Sequence, residues 1–374
     1  MIRRHSTITA LASVALALGI AASTAAAAAP SHAVPRAELQ RALDGVVAAG
    51  VPGAIVLVRD GNQRIRLASG YGYVAKKTPI RTTDRFRIGS LTKTFVSTVV
   101  LQLVDEGKVS LGDSVERWLP GLVPNGRKIS VHQLLNMTSG LFDYLDDRDK
   151  TVANRVQAGD VTYRYSPREL VRIATAHKPN FAPGKGWSYC NTCYVLLGLV
   201  VEKATGRSIG TELRRRILTP LHLSHTTFDT EPQIAGRHSH GYYPLGKRLV
   251  DISVLSPSLA WAAGGMVSTA DDLERFYSAL NRGRLLPANL LRAMRDVVPS
   301  SGYGLGLAQA KAPCGTFWGN GGDFPGYNAN AYGSADGSRQ YVLFLNLDEA
   351  AFTPRVNRAL ERVALIASCG GRAS

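Results

Sequence analysis

The sequence is short of acidic residues, of cysteine and of long apolar segments. It contains 28 Asp and Glu residues against 44 Lys and Arg residues, which gives a formal net charge of +16 at pH 7. Beyond the N-terminal segment, no run is apolar enough to predict a membrane-spanning helix. No helix-turn-helix, zinc-finger or RNA-binding signature accompanies the basic residues, so nucleic acid is not an expected partner. The positive charge instead predicts association with an anionic cell envelope.

A metal site is not expected either. His238 and His240, and likewise His222 and His225, place imidazoles at short spacing, but no set of Cys or acidic residues completes a zinc signature. We therefore expect surface or hydrogen-bonding histidines, no metal and no cofactor. The sequence shows no internal repeat, and its 374 residues, 45% of them hydrophobic, suffice for one large domain or two intertwined ones.

The first 33 residues have the features of a secretory signal peptide. A basic start with Arg3 and Arg4 precedes the apolar run LASVALALGIAAS and an alanine-rich stretch with several cleavage sites between Ala27 and Ala33. The paired arginines are also a weak signature of twin-arginine export. An uncleaved membrane anchor is the alternative, since the apolar run is nearly long enough to span a bilayer. Cleavage is favoured, and it predicts a secreted or envelope-associated protein outside the cytoplasm.

The four cysteines are Cys190, Cys193, Cys314 and Cys369. An even number in an exported chain predicts disulfide bonds, and four cysteines allow three pairings. We expect Cys314 to pair with Cys369, which would tie a glycine-rich segment to the C-terminal helix. Cys190 and Cys193 would then pair locally. A redox motif is not indicated there, because no strand is predicted before them.

Apolar periodicity predicts strands near both ends of the chain and helices between them. Two early strands, 54–60 and 63–72, are joined by the turn Gly61-Asn62, and a later group of strands lies within 315–347. Helices are predicted over 92–109, 131–140, 166–177, 193–206, 269–283 and 353–368. We expect an α+β fold, in which early and late strands share one antiparallel sheet flanked by helices.

This organisation predicts one domain over residues 34–370, after a signal peptide over 1–33. Its sheet lobe would comprise about 34–90 and 270–370, and an inserted, largely helical lobe would comprise about 91–269. A functional site is expected in the cleft between the two lobes.

The stretch RIGSLTKTF contains a serine and a lysine three residues apart. Ser90 follows a glycine at a predicted helix start, and Lys93 lies one turn later on the same face, so its ammonium can reach the hydroxyl. Backbone N–H groups at a helix start favour developing negative charge. A serine beside a base or a cation is a candidate nucleophile. An N-cap serine near a surface lysine would show the same spacing.

A second candidate pair lies in FAPGKGWSYCNTCYVLLG, just before an apolar helix. Tyr189 and Asn191 stand two residues apart, so in extended backbone they point the same way. They would offer a phenol and an amide to one cleft. A lysine ammonium beside Tyr189 would favour its phenolate and make it a candidate base. A turn followed by a core helix is the other interpretation of this pair.

Together these motifs resemble the penicillin-recognising serine hydrolases, that is, the serine D-Ala-D-Ala carboxypeptidases and class C β-lactamases. Residues 87–120 resemble the family's nucleophile helix and the loop after it, and ISVHQLLNMTSGL resembles its L-L-x-x-T-S-G-L signature. FAPGKGWSYCNTCYVLLGLVVEKATG is similar to the P-G-x-x-x-x-Y-x-N block, and AAGGMVSTADDLERF to the later A-G-G-x-x-S-T-x-x-D-L segment. The resemblance covers about Arg36 to Ala367 and implies the β-lactamase/transpeptidase-like fold.

The resemblance also implies roles for individual residues. Ser90 would be the acylated nucleophile, and Lys93 would stabilise or deprotonate it. Tyr189 would act as base in the attack and as acid to the leaving group. Asn191 would hold the amide of the substrate.

The glycine-rich stretch WGNGGDFPGY falls where the family has its third motif, K-T-G or H-x-G, on the edge strand of the sheet. Asn320, Gly321 and Gly322 would line the substrate there, because glycine in a strand lets another backbone approach. The backbone N–H groups of Asp323 and Ser90 would form the oxyanion hole. A phosphate-binding loop is the other interpretation, but no Lys-Ser/Thr follows the glycines.

This stretch departs from the family pattern. Asn320 stands where the usual Lys or His is expected, and Asp323 brings a negative charge close to the pocket. A carboxypeptidase binds the free carboxylate of its substrate, which Asp323 would repel unless an arginine elsewhere compensates. A tolerated variation without functional effect is one interpretation of this change. The other is a shifted substrate: an ester, an amide, or a peptide cut at its amino end.

The resemblance implies an exported serine hydrolase that forms an acyl-enzyme on Ser90. The leading expectation is a penicillin-binding D-alanyl-D-alanine carboxypeptidase that acts on cell-wall peptides. An esterase or a D-aminopeptidase/amidase of the same family is the alternative, followed by a class C-like β-lactamase and a non-catalytic peptidoglycan-binding relative. The expected partner is a peptidoglycan-derived peptide or another small acyl substrate, with no obligate protein partner.

Overall fold

The computed structural model describes residues 34–146, 154, 158–246 and 248–370. The signal peptide predicted for residues 1–33 lies outside these ranges. Within them, no helix has both the length and the apolar character needed to cross a bilayer.

An antiparallel sheet of seven strands organises the described ranges. In spatial order its strands are β3 (Thr78–Pro79), β2 (Gln63–Tyr73), β1 (Gly53–Asp60), β12 (Arg339–Leu345), β11 (Tyr327–Ser334), β10 (Gly315–Phe324) and β9 (Ala308–Ala312). Ile55 of β1 pairs with Phe344 of β12. Early and late strands therefore share one sheet, which confirms the predicted α+β architecture.

Two smaller sheets lie outside the main one. The first has the order β4 (Phe86–Arg87), β8 (Met266–Ser268) and β5 (Thr227–Phe228), and the second pairs β6 (Tyr242–Leu245) with β7 (Arg248–Asp251). The sequence did not indicate these short strands, because two to four residues carry too little alternation to predict a strand.

The helices have the bounds α1 Arg36–Ala48, α2 Thr92–Asp105, α3 Val115–Trp118, α4 Val131–Leu135, α5 Pro167–Thr175, α6 Asn191–Thr205, α7 Ile209–Leu213, α8 Ala270–Asn281, α9 Ala288–Met294 and α10 Pro354–Cys369. A π-helical turn, Arg214–Leu218, follows α7. Short 3-10 helices cover Gly89–Leu91, Gly126–Lys128, Tyr144–Asp146, Pro257–Leu259, Trp261–Ala263 and Glu349–Ala351.

Side-chain caps start several of these helices. Ser166 accepts a hydrogen bond from the N–H of Glu169 in a capping box, and Pro167 occupies the first turn of α5. The six helices predicted from the sequence are all present. The one predicted over 131–140 is short, because Met137 takes φ +62°, which is incompatible with a continuing α-helix.

Helices cover both faces of the sheet, so its central strands are buried on both sides. On one face, α1 and α10 pack on each other and bury Leu43 and Ile366 against strand residues that include Val56. On the other face, α8 packs on β1, β11 and β12. Phe276 of α8 stacks on Phe95 of α2, with ring centroids 3.6 Å apart.

The helical insertion is built around α6. Helices α2, α3, α4, α5 and α7 all contact it. The side chains of α2 are buried almost throughout, because this helix lies between α6 and β10. The site is therefore placed where the sheet meets the inserted helices. The numerical boundaries of the two lobes stay a prediction.

Two disulfide bonds join the four cysteines. Cys314, between β9 and β10, bonds Cys369 at the end of α10, with Cα atoms 5.5 Å apart. Cys190 bonds Cys193 at the start of α6, with Cα atoms 5.3 Å apart. These are the two pairs favoured from the sequence.

Candidate active site

Ser90 lies in the 3-10 turn that leads into α2. Gly89 enters this turn with φ +49°, a conformation that favours glycine. Ser90 is partly exposed, whereas Lys93, one turn later, is fully buried. Nζ of Lys93 donates to Ser90 Oγ over 2.9 Å. The predicted serine–lysine pair is therefore in direct contact.

Two more oxygens surround Nζ of Lys93. It donates to Asn191 Oδ1 over 2.7 Å and to the carbonyl oxygen of Ala263 over 2.8 Å. Both oxygens can only accept hydrogen bonds. When Lys93 is a neutral amine, its two hydrogens satisfy these two oxygens. Its lone pair then faces the hydroxyl of Ser90.

Burial controls the protonation of Lys93. Loss of solvent lowers its pKa to about 7, although the carboxylates of Asp143 and Asp323 act in the opposite direction. A general base works best when its pKa is close to the operating pH. A large fraction of Lys93 is therefore neutral at neutral pH and able to accept the proton of Ser90.

Tyr189 contacts the nucleophile from the helical lobe. Its hydroxyl donates to Ser90 Oγ over 2.5 Å, and Nζ of Lys93 lies 4.9 Å from the centre of its ring. Burial, reinforced by Tyr303, raises the pKa of Tyr189 well above its usual range. The phenolate expected from the sequence is thus not favoured, because desolvation outweighs the nearby cation. Tyr189 is placed to donate a proton rather than to remove one.

Asn191, the first residue of α6, is held by an aspartate. Its backbone N–H and its Nδ2 both donate to Oδ2 of Asp143, over 2.9 and 2.8 Å. Asp143 is only 4% exposed. Sequence reasoning missed this residue, because it lies in the loop after the T-S-G-L segment and no motif spacing links it to Asn191.

The second half of β10 lies against the Ser90 turn. β9 pairs with β10 only as far as Gly319 opposite Ala308, so residues 320–324 leave one side without a strand neighbour among the described residues. The third motif was expected on the edge strand of the sheet. The prediction is wrong for β10 as a whole, because β9 is the outermost strand of the sheet. It is correct for the second half of β10, which β9 does not cover.

Small residues let the two backbones touch. A Cβ atom on Gly322 would lie 2.1 Å from the carbonyl oxygen of Ile88 and 3.0 Å from the amide nitrogen of Ser90. A Cβ atom on Gly89 would lie 2.7 Å from the amide nitrogen of Asp323. The two N–H groups expected to form the oxyanion hole, those of Ser90 and Asp323, are therefore on facing segments.

Asn320 belongs to the wall of the cleft. It is 6% exposed, and its Oδ1 accepts from the N–H of Gly321 over 3.0 Å. Its Nδ2 donates to Thr94 Oγ1 over 3.4 Å and to the hydroxyl of Tyr303 over 3.5 Å. Its amide is thus used within the protein and supplies no positive charge.

Carboxyl groups gather beside the oxyanion segment. Asp323 accepts from Asn328 Nδ2 over 2.5 Å and shares a hydrogen bond with Glu349, while Asp348 lies nearby. Solvent reaches Asp323, but the cleft walls limit its solvation. This desolvation and the Glu349 carboxyl raise the pKa of Asp323 well above its usual range. Sequence reasoning missed Glu349, which the loop after β12 brings to the site.

Arg87 does not supply the missing cation. It is 1% exposed, and its guanidinium donates to the carbonyl oxygens of Pro232 and Leu255. The guanidinium also lies 4.8 Å from the centre of the Phe324 ring. Its charge is therefore held inside the protein.

Two of the histidines considered from the sequence, His238 and His240, make their contacts away from Ser90. His240 Nδ1 contacts Asp251 Oδ2 at 2.6 Å, and its ring stacks on Tyr73. His238 Nδ1 contacts the carbonyl oxygen of Gly236 at 2.8 Å. Across the part of the chain that the structure describes, no three His, Cys, Asp or Glu side chains are grouped so as to hold a metal ion.

The chain is similar to known proteins over most of its length. Residues 39–366 match the family model described as Beta-lactamase. The D-stereospecific amidohydrolase from Streptomyces sp. is 40% identical with a TM-score of 0.80, over 87% of this chain and 98% of that one. The D-amino acid amidase from Ochrobactrum anthropi SV3, complexed with L-phenylalanine amide, is 28% identical with a TM-score of 0.78, over 88% and 97%. Penicillin-binding protein 4* of Bacillus subtilis (strain 168) is 27% identical over 321 residues, which are 79% of this chain and 68% of that protein.

Proposed function

The chain belongs to the beta-lactamase family and is a serine hydrolase, and from its site we propose that it hydrolyses amides of D-amino acids whose amino group is free. The observation that carries this proposal is the Asp323–Glu349 carboxyl pair beside the oxyanion segment, together with the neutral Asn320 in the third motif. A hydrogen bond between the two carboxyl groups requires that one of them hold a proton, so the pair carries one negative charge. This charge attracts the ammonium of such a substrate and repels a free carboxylate.

The similar structures support the same substrate class. Two of them are named as a D-stereospecific amidohydrolase and a D-amino acid amidase, and each aligns over nearly its whole length. We expect a preference for D-amino acid amides because the names of both proteins state a D-substrate.

Acylation would use Lys93 as the base. Ser90 Oγ attacks the carbonyl carbon of the amide while the neutral amine of Lys93 takes the hydroxyl proton. The new C–O bond forms as the electron pair of the C=O double bond moves to oxygen. The N–H groups of Ser90 and Asp323 would receive the resulting oxyanion, and such donors stabilise charge that develops in the transition state.

Collapse of this intermediate would use Tyr189 as the acid. The C–N bond breaks, and the leaving nitrogen takes the phenolic proton and departs as ammonia. The phenolate then takes the proton that Lys93 received from Ser90, since both side chains lie beside Ser90 Oγ. Water then attacks the ester carbonyl and gives a proton to Lys93. As the C–Oγ bond breaks, Lys93 returns that proton to Oγ, which frees the D-amino acid and restores Ser90.

N-acetylation of the substrate tests the proposal. Ammonia release from D-alanine amide is compared with release from N-acetyl-D-alanine amide, with Ser90→Ala as the blank. We expect acetylation to lower kcat/KM by about 10- to 100-fold, the value of a hydrogen bond to a charged group. Equal rates for the two amides would refute the role of the carboxyl pair, and release by Ser90→Ala would refute the acyl-enzyme.

Carboxypeptidase action on D-Ala-D-Ala peptides is the second candidate. Similarity to the Bacillus subtilis penicillin-binding protein favours it. Release of D-alanine from an N-acylated D-Ala-D-Ala peptide, faster than ammonia release from D-alanine amide, would select this candidate.

We also propose that the mature protein acts outside the cytoplasm. The basic and apolar N-terminal segment supports export. Two disulfide bonds are typical of an oxidising compartment. Secretion with loss of about 30 residues, measured by intact mass, would agree with the proposal. A cytoplasmic, full-length product would refute it.

A further inference from the structure

The contacts of Asn191 point to a function for Asp143. We propose that Asp143 is a positioning residue: by accepting two hydrogen bonds from Asn191, it turns the Asn191 amide so that Oδ1 faces Lys93. Among the described residues, Asp143 makes no hydrogen bond to Ser90 or Lys93, so it would act through Asn191.

The two neighbours of the Asn191 amide permit one orientation. In the observed orientation, Nδ2 faces the carboxylate of Asp143 and Oδ1 faces the amine of Lys93. A flipped amide would set Oδ1 against the Asp143 oxygen and Nδ2 against Nζ of Lys93. Acceptor would then face acceptor at Asp143, and donor would face donor at a protonated Lys93, in a region where unpaired polar groups are costly. Asp143 therefore excludes the flipped amide.

This orientation matters for the base. Oδ1 of Asn191 takes one of the two hydrogens of neutral Lys93, and the carbonyl of Ala263 takes the other. If Nδ2 of Asn191 took the position of Oδ1, the lone pair of neutral Lys93 would accept a hydrogen bond from the amide N–H and would no longer face Ser90. Asp143 thus keeps the lone pair of Lys93 on the nucleophile.

Asp143 is itself fixed to the start of α6. Its Oδ1 accepts from the N–H of Leu145 over 3.0 Å. The N–H of Tyr144 donates to Thr192 Oγ1 over 3.2 Å, so the next residue along is also tied to α6. Because Asp143 accepts the N–H of the first residue of α6, a plain helix-capping role is the competing explanation. The two roles differ in their effect on Lys93: orientation of the Asn191 amide changes its reactivity as a base, whereas helix capping changes only stability.

The charge of Asp143 also acts on Lys93. The ionisable groups that face Lys93 are the carboxylates of Asp143 and Asp323 and the phenols of Tyr189 and Tyr194, whose ring centres lie 4.9 and 5.6 Å from Nζ. Both phenols stay neutral, because burial raises their pKa values well above the usual range. Of these groups, the two carboxylates raise the pKa of Lys93.

The surroundings of Asp143 include one other acid. Burial raises the pKa of Asp143, Asp146 acts in the same direction, and the N–H groups of Asn191 and Leu145 lower it. Removal of the Asp143 charge is expected to lower the pKa of Lys93. The active form of the base would then persist to lower pH.

The experiment that tests this inference measures covalent labelling of Ser90 and does not depend on hydrolysis of any one substrate. The inference rests on the serine chemistry of the proposed function but not on the amide substrate. A fluorophosphonate probe labels an activated serine, so the second-order rate of Ser90 labelling is measured against pH by intact mass. Asp143→Asn keeps an oxygen for the two Asn191 donors and removes the charge, whereas Asp143→Ala removes both. Asp146→Asn is the matched control, since it removes a nearby carboxylate that has no bond to Asn191.

For Asp143→Asn, we expect the midpoint of the rise in labelling to move down by about one pH unit, the usual effect of one close opposite charge. For Asp143→Ala, we expect labelling at the plateau to fall by about 10- to 100-fold. Asp146→Asn should move the midpoint little. An unchanged labelling plateau in Asp143→Ala would refute the inference and leave a capping residue, whose loss lowers stability alone.

A double substitution separates positioning from general damage. If Asp143 acts through Asn191, then Asp143→Ala should cost far less rate in an Asn191→Ala background than in the wild type. Additive losses would contradict the inference. Thermal unfolding of each variant shows whether it is folded. Labelling of Ser90 without hydrolysis of D-alanine amide would refute the proposed substrate alone, and an unlabelled wild type would contradict both proposals.

Discussion

Nζ of Lys93 lies 2.9 Å from Oγ of Ser90, and the other two hydrogen bonds of this amine go to oxygens that cannot donate. A neutral Lys93 therefore has its lone pair on the serine hydroxyl. Tyr189 reaches the same Oγ as a donor over 2.5 Å. The geometry favours lysine as the base and tyrosine as the acid.

The activity is predicted to rise as the pH increases through about 7, the value to which burial lowers the pKa of Lys93. The direction follows because Lys93 has a lone pair only after it loses its proton. Measurement of kcat/KM for D-alanine amide across this range checks it. A rate that is flat with pH, or that falls as pH rises through neutrality, would exclude Lys93 as the base.

Lys93→Arg sharpens this prediction. The guanidinium keeps the positive charge but does not lose a proton at these pH values. We expect a loss of at least about 100-fold in kcat/KM, the usual contribution of a general base. Lys108→Arg is the control, since Lys108 is an exposed lysine that pairs with Glu106.

Tyr189→Phe should separate amides from activated esters. An amide nitrogen needs a proton to leave, whereas nitrophenolate leaves without one. We expect a loss of about 10²- to 10⁴-fold on D-alanine amide and a much smaller loss on nitrophenyl acetate. Equal losses on both substrates would show that Tyr189 positions Ser90 and does not act as the acid. Tyr71→Phe, at an exposed site, is the control.

Part of this site was predictable because it depends on local spacing. Ser90 and Lys93 lie three apart on a helix, and Tyr189 and Asn191 form a short motif, so both pairs could be identified before the structure was known. The sheet was predictable because β1 and β12 contain apolar runs, β2 and β11 alternate apolar with polar residues, and turns bound these strands.

Other parts depend on long-range packing that spacing does not encode. The carbonyl of Ala263 contacts Lys93 as a backbone group, which any residue type would supply. Asp143 lies in a loop and Glu349 begins a short 3-10 helix, and the fold brings both to the site. β9, with the sequence AQAKA, lacks the β-branched and aromatic residues that indicate a strand, and it is held by pairing with β10.

The carboxyl pair should act on substrate binding. Asp323→Asn and Glu349→Gln each remove one carboxyl group from the pair, and the first keeps the backbone N–H of residue 323. We expect each to raise KM for D-alanine amide by about tenfold, with a smaller change in kcat. Glu361→Gln on the exposed face of α10 is the control. An unchanged KM in both variants would show that the ammonium binds elsewhere.

The two disulfide bonds should differ in what they stabilise. Cys314–Cys369 spans 55 residues, so replacing both cysteines by serine should cost up to about 4 kcal/mol and lower the Tm while the folded enzyme stays active. Cys190–Cys193 flanks Asn191, so its loss should reduce kcat more than it reduces the Tm. Thermal unfolding and kcat of the two double variants check both statements. The reverse pattern would contradict them.

The most direct test of the proposed function sets two substrates against each other. The wild-type enzyme is given D-alanine amide and, separately, an N-acylated peptide that ends in D-Ala-D-Ala, and kcat/KM is measured for ammonia and for D-alanine release. The carboxyl pair predicts that the amide is favoured by about tenfold or more. A clear preference for the peptide with a free carboxylate would contradict this account and identify a carboxypeptidase.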